Sequence, residues 1–186
     1  MTGGGGGLPD ELAVVRDVSH RLDAAGLPYM LTGSLAMNYY VEPRMTRDID
    51  VIIDEAGRDA ARIAAIFQPE YYVSREAVAE AIALRTSFNA IHLLAAIKVD
   101  CFPRKPGEFR AAELHRRRRV AIAGFETSIA TIEDLVLAKL LWARESRSEL
   151  QRRDVRKLLE APHDAGYISD WVARLDLADL WQEVHR

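Results

Sequence analysis

Apolar residues recur along this chain in two rhythms, and the point where one of them stops divides it. Leu12, Val15, Val18 and Leu22 fall at helical spacing, which predicts a helix over residues 9–25 ended by Gly26 and Pro28. Tyr29-Met30-Leu31-Thr32 reads as a short strand broken by Gly33-Ser34, with a short helix over 35–40 starting at the break. A loop at Glu42-Pro43-Arg44 precedes an apolar strand over 48–53, and alanine-rich helical spacing follows over 56–67 with Asp54 as its expected N-cap. Residues 71–73 predict a strand and 75–84 a helix. Residues 88–93 and 96–102 predict two strands joined by a tight turn, and 118–122 with 126–129 a further pair around Gly124. After Thr131 only the helical rhythm remains. Thr131-Ile132-Glu133-Asp134 resembles a capping box opening a helix to about residue 144, and helices continue over 152–160 and 169–184.

Mixed strands and helices followed by helices alone predict an α/β (α+β) core over 9–130, with a helical C-terminal part, 131–186, packed on it. The glycine run in residues 1–8 is expected to be disordered. No strand precedes it and no Lys-Ser/Thr pair follows, so it is not a phosphate-binding loop. With 186 residues, 49% of them hydrophobic, the chain is long enough to bury a substantial core. A net charge of −3 excludes a protein that coats nucleic acid through its overall charge, though not one with a local basic track. The single cysteine, Cys101, allows no internal disulfide and is expected on the face opposite Asp100, in the core. No apolar run is long enough to span a membrane, and no secretory pattern opens the chain, so a cytoplasmic protein is expected.

The chemistry sits at Gly33-Ser34, followed after thirteen residues by Asp48-Ile49-Asp50. Carboxylates at alternate strand positions share a face roughly 7 Å apart. Asp100, on a neighbouring strand, can converge on them. Unpaired acids so placed are costly unless a hard divalent cation neutralises them, and Mg²⁺ prefers a few carboxylates plus substrate phosphates. A glycine at position 33 lets the backbone turn sharply and approach a phosphate, and Ser34 offers a hydroxyl and an amide beside it. Asp54 shares the strand face of Asp48 and Asp50 but lies too far along it to join them, and is assigned to helix capping.

Gly33-Ser34, the spacing to Asp48-Ile49-Asp50, and Lys98-Val99-Asp100 resemble the signature of the polymerase-β-like nucleotidyltransferase superfamily, over roughly residues 30–102. Thr131-Ile132-Glu133-Asp134-Leu135, Lys139-Leu140-Leu141 and Arg153-Asp154-Val155 resemble the C-terminal motifs of its AbiEii-type branch, which includes toxins of toxin–antitoxin systems. The resemblance implies a small mixed sheet flanked by helices and transfer of a nucleoside monophosphate from a nucleoside triphosphate. The acceptor would be a hydroxyl of tRNA or other RNA, of a protein, or of a small molecule, and an antitoxin is an implied partner. Asp48 and Asp50 would hold two Mg²⁺ ions, and Asp100 would ligate the metal nearest the attacking hydroxyl.

Several further residues have two readings. Lys139 interrupts an apolar helical stripe, either to neutralise triphosphate or with its ammonium reaching to water. Lys98 either touches phosphate or pairs with Asp100, and Asp154 either supports the site or pairs with Arg153 and Arg156. Arg44 and Arg47 flank the acids, and one of them could grip a phosphate bidentately. The run His115-Arg116-Arg117-Arg118-Arg119 is either a landing site for RNA or a solvated loop entering a strand. Bulky Met37, Tyr39 and Tyr40 after the glycine bend favour the competing reading, a nucleotide- or partner-binding module of the same fold without catalysis. The five histidines show no zinc-ligand spacing.

Overall fold

A computed structural model describes residues 10–46, 48–55 and 57–185. Helix α1 (Asp10–Ala24) buries Val14, Val15, Val18 and Leu22, and the chain turns at Gly26 into strand β1 (Tyr29–Thr32). Helix α2 (Gly33–Met37) follows directly, then β2 (Ile49–Ile53), α3 (Ala60–Phe67), β3 (Tyr71–Tyr72) and α4 (Arg75–Leu84). Strands β4 (Phe88–His92) and β5 (Lys98–Pro103), helix α5 (Glu108–Arg116), and strands β6 (Arg118–Ile122) and β7 (Phe125–Ile129) complete the mixed region. Helices α6 (Ile132–Ser146), α7 (Glu149–Leu159), α8 (Ala165–Arg174) and α9 (Ala178–Val184) follow.

The strands form one seven-stranded mixed sheet in the order β3-β4-β5-β2-β1-β7-β6. Strand β2 runs antiparallel to β1 and parallel to β5. Its side chains alternate: Ile49, Val51 and Ile53 are fully buried on one face, and Asp50 and Ile52 stand on the other. Strand β5 repeats this with Val99 and Cys101 inside, opposite Asp100 and Phe102. Cys101 is thus a core residue, and burial pushes its thiol far above the ordinary range.

Local expectation and structure differ in several places, among them the C-terminal part, where α7 starts at Glu149 and two helices, starting at Ala165 and Ala178, stand where 169–184 was expected. Helix α2 starts at Gly33 itself and ends at Met37, not over 35–40, because the chain turns out of β1 without an intervening residue. Helix α3 starts at Ala60 with Asp59 as its N-cap, the carboxylate accepting from Arg62 N at 2.9 Å. Asp54 is not that cap: it accepts from Arg104 Nε at 3.1 Å, and its own N–H continues toward Pro28 O at 2.8 Å, so the chain is still leaving the sheet there. Helix α5 was missed from the sequence because it buries only Phe109, Glu113 and Leu114, too thin an apolar stripe to read. The arginine run is therefore the end of α5 and the start of β6 rather than a loop. Arg116 lies 3.5 Å over the Tyr167 ring and bonds Glu133 at 3.0 Å, while Arg119 bonds Asp23 at 2.7 Å. Two of its cations thus serve the fold.

Candidate active site

The sheet register lines up a row of polar residues. Thr32 of β1 stands opposite Asp50 of β2, Asp50 beside Asp100 of β5, and Asp100 opposite Asn89 of β4. Registered neighbours share a face, so this row crosses four strands on the side away from Val51 and Cys101. Asp48 lies just before β2, exposed.

Gly33 takes φ +63°, a left-handed conformation that L side chains rarely adopt. A Cβ built on it would stand 2.0 Å from Asp50 Oδ2, so the bend is glycine because the carboxylate occupies that space. Asp50 is half-buried, and burial, then the charges of Asp100 and Asp48, push its carboxyl up to about 6 against the opposing pull of Lys139 and Lys98. Two further acids are therefore close enough to be felt by this carboxyl, with two lysines opposing them. Asp100 accepts from Lys98 Nζ at 2.7 Å, a bond that raises the lysine's pKa. Lys98 is thus paired with Asp100. Arg47 lies outside the described residues.

The opposite wall comes from the C-terminal helices. Lys139 is 3% exposed on the inner face of α6, so its ammonium does not reach to water. Its Nζ donates to Asp154 Oδ2 at 2.7 Å and to Gln151 Oε1 at 3.2 Å, both on α7. Burial lowers its pKa, while the Asp154 bond supports the charged form and nearby Arg44 opposes it. Asp154 has neither Arg153 nor Arg156 as its partner among the bonds of the described residues. It is shared by Lys139 and, at 3.3 Å, Arg44 Nη2. Arg44 Nη2 also donates to Ser34 Oγ in a short contact. Gln151 and Asp154 were readable in outline: with Val155 and Leu158 they form the buried stripe of α7 at helical spacing, and two polar members of such a stripe need partners.

Between the sheet and α6 runs a cleft of about 310 Å³, lined in part by Gly33, Asp50 and Lys139. Phe102, Leu135 and Leu141 line its walls, half-exposed Trp142 stands on it, and Arg85, Arg104, Lys105 and Arg110 reach it from β5, α5 and the end of α4. Met37, Tyr39 and Tyr40 are not among its lining residues: Met37 is buried, and Tyr40 donates to Ala130 O at 2.9 Å.

Among the described residues, no group of three His, Cys, Asp or Glu side chains is arranged to hold a metal ion. The chemistry of the donors, two carboxylates side by side at Asp50 and Asp100, is nevertheless that of a hard-cation site. Burial first, and then the charges of Asp100 and Asp48, raise Asp50 to about 6, and an oxygen-liganded divalent ion would relieve the like-charge part of that cost.

Solved structures with this arrangement of strands and helices were found. The chain superposes on ANT(2")-Ia in complex with adenylyl-2"-tobramycin with a TM-score of 0.63 at 17% identity, covering 93% of this chain and 99% of that one. Lincomycin-bound LnuA, a lincosamide antibiotic adenylyltransferase, gives 0.53 at 14% identity over 80% of this chain and 94% of that one. An antigenic nucleotidyltransferase-like protein from Paracoccidioides brasiliensis gives 0.54 at 16% identity over 95% and 93%. The chain has the nucleotidyltransferase fold. No family model matches it, and no curated protein does. At these identities the likeness speaks for the fold, and the chemistry must be argued from the site.

Proposed function

We propose that this protein is a Mg²⁺-dependent nucleotidyltransferase that moves a nucleoside monophosphate from a nucleoside triphosphate to a hydroxyl acceptor. The observation that carries the reading is the side-by-side placement of Asp50 and Asp100, with Asp48 near, against a glycine that leaves room only for Asp50. Asp48, Asp50 and Asp100 would hold two Mg²⁺ ions, whose charge would neutralise the triphosphate and the departing pyrophosphate. Lys139, held by Asp154, adds a buried positive charge to the same cleft. Asp100, released from Lys98, would take the acceptor's hydroxyl proton as that oxygen bonds to the α-phosphorus and the bond to the β-phosphate oxygen breaks.

The cleft carries five cations against two acids, Asp50 and Glu145, which favours an anionic acceptor such as tRNA or other RNA over a polycationic antibiotic. Four of the cations are partly spent on neighbours, Lys139 on Asp154, Arg85 on Glu55, Arg104 on Asp54 and Arg110 on Glu113. A role as the toxin of a toxin–antitoxin pair, in the cytoplasm and with an antitoxin partner, belongs to the same proposal and rests on the motif resemblance alone.

The deciding experiment supplies each labelled nucleoside triphosphate with total RNA and a cell lysate and follows where the label goes. Label is expected in one polymer, dependent on Mg²⁺ and absent with Asp48→Asn or Asp50→Asn. The Lys98–Asp100 bond favours a second reading, a nucleotide-binding module without catalysis. Mg²⁺-dependent nucleotide binding with no transfer to any acceptor would establish that one instead.

A further inference from the structure

We infer that Arg44 is the residue that turns the Ser34 hydroxyl toward the polyphosphate and grips that polyphosphate itself, with Asp154 as the anchor it shares with Lys139. The inference rests on the nucleotidyltransferase reading and assigns a role to a loop residue outside the acid and lysine set. Its grounds are geometric. An arginine has only donors, so in the Arg44–Ser34 contact the serine oxygen must accept. The Ser34 proton is thereby left to be donated elsewhere, and beside Gly33 and Asp50 the acceptor it suits is a phosphate oxygen.

The charge count points the same way. Asp154, buried to 4% exposure, is one carboxylate between two cations, Lys139 and Arg44, so the pair retains net positive charge. Arg44 Nε is buried and has no hydrogen-bond partner among the described residues. A buried guanidinium N–H without an acceptor is costly unless something arrives to take it.

The loop is also built to hold this side chain still. Asn38, at the end of α2, donates through Nδ2 to Arg44 O at 2.8 Å and accepts from Arg44 N at 3.1 Å. Lys157 of α7 donates to Glu42 O at 2.6 Å. One side chain from the end of α2 and one from α7 thus hold the loop backbone, which lowers the ordering cost when ligand binds. Arg44 and Ser34 stand next to Gly33 rather than among the residues lining the cleft, and Arg44 is assigned to the phosphates there, whereas Asp154 and Asn38 are positioning residues.

The test measures binding, not turnover. Affinities of the full chain for a non-hydrolysable Mg·nucleoside triphosphate and for inorganic tripolyphosphate are taken by calorimetry, beside melting temperatures. Arg44→Ala and Ser34→Ala are each expected to weaken both ligands about tenfold or more. The double variant is expected to lose clearly less than the product of the two, because one residue acts partly through the other. Arg44→Lys keeps a charge for Asp154 but not the fork, so it should hold the melting temperature and still lose affinity. Unchanged binding in Arg44→Lys, or fully multiplicative losses in the double variant, would overturn the inference while leaving the nucleotidyltransferase reading intact. Failure of the unaltered protein to bind either ligand would remove both.

Discussion

Gly33 and Asp50 explain each other. The bend is possible with a side chain at some cost in backbone strain, but the space that side chain would need is filled by a carboxylate oxygen. Gly33→Ala should therefore lose about 1–2 kcal/mol from the left-handed conformation alone, with a further loss from the clash, read as a lowered melting temperature. The sharper expectation is functional: Asp50 must move, so Mg²⁺-dependent nucleotide binding should fall even where the variant stays folded. A variant that melts lower yet binds Mg·nucleotide as before would mean that Asp50 has no part in binding. At this scale the sequence named candidates but left some of their partners open. It singled out Asp48, Asp50, Asp100 and Lys139, but left Lys98 and Asp154 with two readings each. In the structure Lys98 is bonded to Asp100, and Asp154 to Lys139 and Arg44, the last of them far from it in sequence.

Helix α5 shows what an element can hide. Its inner face carries Glu113, 1% exposed, with one oxygen bonded to Arg110 Nη1 at 2.9 Å and the other buried without a partner among the described residues. Burial is the chief cause that pushes this carboxyl up from 4.5 to about 7; Arg110 opposes the shift and Asp134 adds to it. The native state therefore holds this proton where the unfolded chain has lost it, and the Glu113 contribution to stability falls as pH rises from about 4.5 to about 7. Glu113→Gln removes the buried charge and keeps an acceptor for Arg110. It should be the more stable form above pH 7, by on the order of 2 kcal/mol, with the gap closing below pH 5. Melting curves at pH 5 and pH 8 decide this; a pH-independent difference would mean that Glu113 stays ionised. From sequence the segment gave no helical signal, because a buried glutamate in a stripe with only Phe109 and Leu114 reads as solvated. Helix α4, with a regular alanine and valine pattern and a Ser74 cap, fell where the pattern placed it.

The whole molecule brings the site together from parts far apart in the chain: the β1–α2 bend, the paired strands β2 and β5, the loop at Arg44, and the facing sides of α6 and α7. A ligand that touches all of them couples the sheet to the C-terminal helices. Mg²⁺ with the preferred nucleoside triphosphate at about a hundred times its dissociation constant should add roughly 2.7 kcal/mol of stability. That shift should vanish on chelation and in Asp50→Asn, while Asp50→Asn without ligand should melt no lower than the parent, since it relieves a crowded acid. Loss of the shift on chelation alone, with Asp50→Asn still responding, would place the metal elsewhere. The sequence by itself determined most of the elements and the faces they present, because a helix or a strand repeats on a period that local spacing records. It also determined that acids at positions 48, 50 and 100 would need an answer, since such groups on apolar strands are expensive. Only the tertiary structure decided what answers them. Strand order and helix docking follow from burying the core of the entire chain, so the meeting of Asp50 with Asp100, and of Asp154 with both Arg44 and Lys139, is fixed by contacts that no local pattern contains.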